Sequence, residues 1–253
     1  VLRKAGDTKA AKRAGKTAAE GLVVITADAD KKKAFMLEIN CETDFVAKGD
    51  EFAGFVQDVA EALLTADVEA VEQLQDVTLA NGQTVDQARR EMIAKLGENI
   101  NVRRFKKFVT TEGGTAAYLH GSRIGVIVEL DKADEELGKD IAMHIAASKP
   151  FCISDEDVPI DMIDKEKAIF SAQAAESGKP AEIIEKMITG RVKKYLAEIT
   201  LLGQPFIKDD KVTVGQLVSG KGSSVISFAR YEVGEGIEKE ESDFAAEVAA
   251  AAR

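Results

Sequence analysis

The stretch Gly21-Leu-Val-Val-Ile-Thr-Ala-Asp-Ala-Asp-Lys-Lys-Lys-Ala-Phe-Met-Leu-Glu-Ile-Asn40 decides how the chain begins to fold. Residues 22–26 and 34–40 are β-like runs, and the polar residues 27–33 between them predict a hairpin. Beyond it the period changes. Phe52, Phe55, Val56, Val59, Ala60 and Leu63 recur at i, i+3, i+4 and i+7 and so share one buried helical face, with Asp50 placed to cap it. A second helix is predicted over Val85–Leu96, stopping at Gly97. Strand character returns through Ile100, Val102, Phe105 and Phe108. Hairpin, helices and a returning strand make an α+β lobe.

The order then recurs. Residues 115–119 and 124–130 flank the turn 120–123 as a second hairpin. Asp134, Glu135 and Glu136 put acids at the positive end of the next helix, which carries Leu137, Ile141 and Ile145 and stops at Ser148-Lys149-Pro150. Residues 198–207 read as the returning strand of this copy. Between them, 161–176 and 180–199 are helical runs joined by Ser177-Gly178-Lys179, where Gly178 can end one helix and Pro180 begin the next. Ile163, Ile169, Ile184, Met187, Ile188 and Val192 supply apolar seams, so these runs should pair as an antiparallel arm over 161–198. The expected architecture is α+β: two similar lobes, 21–112 and 113–228, each a small antiparallel sheet with helices, plus an inserted antiparallel helical hairpin and a C-terminal helix. Residues 1–20 are Ala/Lys-rich and helix-prone, and 229–253 form a C-terminal module whose acidic helix Ser242 could cap.

Composition narrows the function classes. At 253 residues, with 45% apolar and 31% charged residues, the chain can bury a real core. No window approaches the roughly 18 uninterrupted apolar residues of a membrane span. Val1-Leu2-Arg3-Lys4 offers no signal-peptide core and reads as the broken end of something longer. Cys41 and Cys152 form no CxxC pair, so they are expected as buried thiols in a reducing cytoplasm, with no disulfide and no zinc site. The net charge is −10, yet residues 1–16 hold six bases against Asp7. Of the chain's 34 bases and 44 acids, the remainder keeps 28 and 43, a net of −15. Such a body repels phosphates, so no direct nucleic-acid binding is expected.

Chemistry is sought and mostly not found. Gly215-Gln-Leu-Val-Ser-Gly-Lys-Gly222 matches GxxxxGK, but Gly222 stands where a phosphate-binding loop needs Ser or Thr for magnesium. A glycine-rich turn between two strands is the expectation there. His144 falls beside an apolar stripe and reads as a satisfied, partly buried histidine; His120, before Gly121, belongs at an exposed hairpin tip. No cofactor, metal site or general acid/base pair stands out, and a reaction of the chain's own is not expected. One loop is out of keeping. Phe45 and Val46 precede the cap position and stand outside the apolar face that follows. Either Phe45 folds back into the core, or it is an exposed aromatic anchor for a partner.

Six segments carry a resemblance. They are Ile39-Asn-Cys-Glu-Thr-Asp-Phe-Val-Ala-Lys48, Lys95-Leu-Gly-Glu-Asn-Ile-Asn-Val-Arg-Arg104, His120-Gly-Ser-Arg-Ile-Gly-Val126, His144-Ile-Ala-Ala-Ser-Lys-Pro150, Gly203-Gln-Pro-Phe206 and Arg230-Tyr-Glu-Val-Gly-Glu-Gly-Ile-Glu238. In that order the chain resembles the bacterial elongation factor Ts family, guanine-nucleotide exchange factors of elongation factor Tu. Glu42 stands where Gln is common, and Phe151-Cys152 replaces a more polar pair. The resemblance implies that residues 1–20 are the helical remnant of a ubiquitin-associated-like module. It implies that Thr43, Asp44, Phe45 and Val46 form the segment that displaces Mg2+ in the partner, the aromatic ring wedging between two helices of its GTPase domain. Leu96 and Gly97 match a neighbouring contact loop, and His120 matches a histidine that meets the partner's third domain. The expected function is translation elongation: release of GDP from elongation factor Tu, so that GTP reloads. No membrane is involved on this reading, and a homodimer of the complex is left open.

Overall fold

The computed structural model describes residue 8 and residues 10–238. The C-terminal helix expected after Gly236 and half of the basic arm, residues 1–7 and 9, lie outside these residues. Two compact units divide the chain. The first takes the described residues up to Val109, with Leu119–Gly125 and those from Tyr231; the second holds Thr110–Tyr118 and Val126–Arg230.

The opening hairpin forms as its alternation requires. Strands β1 (Glu20–Ala27) and β2 (Lys33–Cys41) pair antiparallel, and β3 (Asn101–Val109) adds to the far side of β2, giving the order β1-β2-β3. One face of β2 presents Phe35, Leu37, Ile39 and Cys41 to a core shared with Phe52, Phe55, Val56, Val59 and Leu63 of a long helix, Asp50–Thr65. Asp50 is not the cap of that helix. Gly49 takes the cap position without a side-chain bond, and Asp50 and Glu51 serve as first-turn acids.

The other face of β2 is buried too, apolar at Ala34 and Met36 and polar at its far end. Glu38 and Asn40 are fully buried there. Successive strand residues normally point to opposite faces, so two adjacent arginines should not reach one carboxylate. A β-bulge makes it possible: Glu38 pairs with Arg104 and Ile39 with Val102, leaving Arg103 as the extra residue. Arg103 Nη1 then donates to Glu38 Oε1 at 3.0 Å, and Arg104 Nε to Oε2 at 2.5 Å. Asn40 Nδ2 (3.0 Å) and the Gly234 N–H (2.8 Å) complete the set. Arg104 also lies 4.0 Å from the Tyr231 ring centroid. Burial pushes the Glu38 carboxyl up, but Gly234, Asn40 and Arg104 outweigh it and hold it below the ordinary carboxylate value. Gly234 is required here: its φ is +75°, and a Cβ would stand 2.2 Å from the Ala19 carbonyl oxygen.

In the second unit, β4 (Gly114–His120), β5 (Ile124–Leu130) and the late strand β8 (Val225–Glu232) make a sheet of order β4-β5-β8. The topology repeats that of the first sheet, a hairpin whose second strand receives a strand from far down the chain. The returning strand is therefore β8. The expected strand at 198–207 is mostly the end of a helix and a turn, with only Pro205–Phe206 extended as β6 beside β7 (Asp209–Thr213). The reason is local. His144, fully buried on the helix Glu135–Ser148, accepts the Ile207 N–H at Nδ1 (3.2 Å) and holds Gln204 Oε1 at Nε2 (2.9 Å). Gln204 Nε2 in turn donates to the Glu198 carbonyl at 2.8 Å, closing the chain into a turn. The glycine-rich segment is likewise no bare turn: Val214–Gly220 is a short helix capped by Thr213, with Gly215 inside it, Gly220 as its last residue and Gly222 beyond it. A phosphate cradle needs its glycines ahead of a helix, so the GxxxxGK resemblance has no structural counterpart.

The arm consists of helices Ile160–Ala175 and Ala181–Ile199 joined through Gly178, φ +66°. Arg191 donates to Gln173 at 2.7 Å and faces the Phe170 ring, as antiparallel packing demands. Of the expected seam, Ile163, Ile184, Met187, Ile188 and Val192 are half-buried, whereas Ile169 is 48% exposed.

The Glu38 cluster sets a testable sign. A carboxyl held low when folded stabilises the protein above the unfolded value of about 4.3, and that stability is lost as pH falls through the lower folded value. Glu38→Ala strands two arginines and should cost about 3–5 kcal/mol near neutral pH, measured by urea unfolding. Glu38→Gln should cost less and flatten the pH dependence of stability below about 4.3.

Candidate functional site

The site grows from the end of β2. Cys41 is fully buried, its thiol donating to the Thr43 carbonyl at 3.2 Å. Burial first, then the charges of Glu98 and Glu20, push the thiol up to about 12, so no nucleophilic thiolate forms there. Two residues on, Thr43 is extended (φ −120°, ψ 153°) and its hydroxyl accepts the Val46 N–H at 3.3 Å, capping the one-turn helix α1 (Asp44–Ala47).

That single turn sorts its side chains sharply. Val46 and Ala47 enter the core, at 7% and 6% exposure, while Phe45 is 83% exposed. The two open readings of Phe45 thus resolve outward, and the fold-back belongs to Val46. Asp44 meets Lys48 at 2.7 Å on the surface; the hydrogen bond and charge of Lys48 hold its carboxyl low.

Leu96 and Gly97 come from the helix Val85–Leu96, which Thr84 and Gln87 cap reciprocally. Gly97 closes it in the left-handed region, φ +75°, its N–H on the Ile93 carbonyl at 2.9 Å. The chain then turns Glu98 toward β2. Glu98 Oε2 accepts the N–H groups of Glu42 (3.1 Å) and Thr43 (3.0 Å), and Oε1 accepts the Thr43 hydroxyl at 2.6 Å. Glu42 answers: its Oε1 accepts the Asn99 N–H at 2.6 Å, and Oε2 meets Arg13 at 3.3 Å. Residues 43–46 and 96–97 are therefore strapped into one surface. His120 is exposed at the end of β4, within the segment Leu119–Gly125, and takes no part in these bonds.

Glu42, Glu98 and Asn99 stand in the segments that carry the resemblance, but sequence reasoning gave them no role. A signal existed. Glu98 directly follows a helix-closing glycine, where a side chain is free to reach back.

The surface suits docking better than phosphate chemistry. A groove of about 360 Å³ between the helices Asp50–Thr65 and Val85–Leu96 is rimmed by Asp50, Glu51, Asp58 and Glu91 against Lys95. Its negative charge opposes a bare nucleotide. Among the described residues no group of three or more His, Cys, Asp or Glu side chains is placed to hold a metal ion, and no helix is long and apolar enough to cross a membrane.

Known proteins supply the remaining observation. The family described as Elongation factor TS matches residues 42–235. A protein named Elongation factor Ts from Methylococcus capsulatus (strain Bath) is 58% identical over 253 residues, covering 100% of this chain and 86% of the relative. Its namesake in Thioalkalivibrio sulfidiphilus is 55% identical, and that in Legionella pneumophila (strain Philadelphia 1) 53%, each with the same coverage.

The burial pattern predicts opposite effects at neighbouring positions. Phe45→Ala should leave the urea midpoint within the equivalent of about 0.5 kcal/mol, because the residue is 83% exposed. Val46→Ala should cost about 1–2 kcal/mol for its lost buried methyl groups.

Proposed function

This chain belongs to the elongation factor Ts family, a family of translation elongation factors with a nucleotide-exchange role, and we propose that it binds elongation factor Tu in its GDP form and speeds GDP release without chemistry of its own. The reading proceeds from Phe45, an apolar ring left 83% exposed on a turn whose neighbours are anchored in the core. A ring displayed in this way is ready-made to be buried by a partner.

In the proposed complex, Thr43, Asp44, Phe45 and Val46 act as one unit. The ring enters between two helices of the GTPase domain, displaces Mg2+ and disturbs the phosphate site. Asp44 flanks it, and Val46 holds the turn from beneath. Leu96 and Gly97 touch the same domain, and His120 meets the third domain. Both partners work in the cytoplasm on this reading.

Magnitudes divide the labour. Each tenfold loss of nucleotide affinity takes about 1.4 kcal/mol of coupling. Burying one phenylalanine supplies roughly 1.5–3 kcal/mol, or about ten- to hundredfold. A larger acceleration needs a second contact to hold the complex while the ring strains the pocket, the part assigned to His120. Coupling is reciprocal, so bound GDP or GTP weakens the factor's own grip and lets it leave.

The test is GDP release from elongation factor Tu loaded with fluorescent GDP. The intact chain should accelerate release, and Phe45→Ala should remove about ten- to hundredfold of that acceleration. Release unchanged by the intact chain would refute the reading.

A further inference from the structure

We propose that Glu98 is a positioning residue for nucleotide exchange: its carboxylate aims Phe45 by fixing the direction of the Thr43 hydroxyl that caps the one-turn helix. The inference rests on the reading that Phe45 is the working side chain.

A four-residue helix has almost no stability of its own, since nucleation costs more than a single turn returns. Something outside Asp44–Ala47 must hold it. Val46 and Ala47 fix its inner side, but a buried methyl group does not set the rotation of the turn about its contact. Hydrogen bonds do, because they are directional. The Thr43 hydroxyl is the decisive atom. It donates to Glu98 Oε1 at 2.6 Å and accepts from the Val46 N–H at 3.3 Å. Glu98 takes up the hydroxyl proton and leaves a lone pair turned to the helix.

The carboxylate is the group this geometry needs. It accepts from three donors, the Thr43 hydroxyl and the N–H groups of Glu42 and Thr43. Glutamine has one carbonyl oxygen, and its amide would face donors with donors. Phe45 sits between the capping residue Thr43 and the capped Val46 N–H, so loosening the cap releases the ring before it loosens the core. A mobile ring must be ordered again on docking, which subtracts from the energy available to strain the partner.

The experiment measures GDP release from elongation factor Tu against increasing factor concentration, separating the saturating rate from the half-saturating concentration. Glu98→Ala and Glu98→Gln should each lower the saturating rate about tenfold, the worth of one charge-assisted hydrogen bond. The half-saturating concentration should move less than about threefold, because the other contacts persist. Thr43→Val should reproduce the loss and Thr43→Ser should restore the rate, a rescue that a merely structural role for Glu98 would not require. Glu98→Ala combined with Phe45→Ala should be no slower than Phe45→Ala alone. Circular dichroism and urea unfolding check each variant, and the Thr43 pair carries the test if Glu98→Ala does not fold. A normal rate for Glu98→Ala, or losses that multiply in the double variant, overturns the proposal while a slow Phe45→Ala leaves the exchange reading standing. A full rate for Phe45→Ala defeats that reading first, and this one with it.

Discussion

A buried carboxylate, Glu38, is the constraint on which the first unit turns. A lone ionised carboxyl in an apolar interior is so costly that folding would stall or the group would take a proton. Here donors from three directions surround it: the neighbouring strand, its own strand and the returning chain at Gly234. The need to satisfy it explains features that otherwise look unrelated. The bulge brings Arg103 onto the same side as Arg104; Gly234 lets the backbone come close; the Tyr231 ring lies beneath the Arg104 guanidinium carbon. Arginine suits the task because its planar fork can serve the carboxylate and reach backbone carbonyls at once, as Arg104 does with Glu232. Fixing the bulge also fixes the register of β3, and that strand begins just after the Glu98–Asn99 strap.

Polar satisfaction organises the second unit in the same manner. His144 is fully buried, its pKa held below the ordinary histidine value by that burial, and committed at both ring nitrogens. Through Gln204 it closes the turn that follows the arm. Fully satisfied buried networks of this kind admit few alternative packings, since each misplaced donor would go unpaired in a low dielectric. The surface turn at Thr43 uses the same chemistry at lower stakes: it orients one ring.

Much of this was legible beforehand, wherever burial imposes a period. Both hairpins, the helix through Phe52 and Leu63, the stop at Gly97 and the paired arm follow from apolar spacing and glycine placement. What periodicity does not carry is direction chosen by polar partners. Glu38 sits inside an apolar run, and nothing local announces two arginines more than sixty residues away. The run from Ile199 to Ile207 has strand-like composition, but the distant His144 bends it into a turn. Phe45 was undecidable from pattern alone because Val46, its neighbour, satisfies the core equally well; the resemblance pointed outward, and the ring lies outward. The strap at Glu98 had one local signal, the helix-closing Gly97 before it, but its partners at 42–43 belong to another element and nothing local names them.

The division of the chain carries a consequence for synthesis on the ribosome. The residues of the second unit run from Thr110 to Arg230, whereas Tyr231 and Gly234, which finish the first unit, come after them. The unit begun first is therefore completed last. Until the final segment has been made, Glu38 lacks one of its donors, the Gly234 N–H. A nascent chain ending before Tyr231 would lack the Gly234 donor to Glu38 and the last two residues of β8.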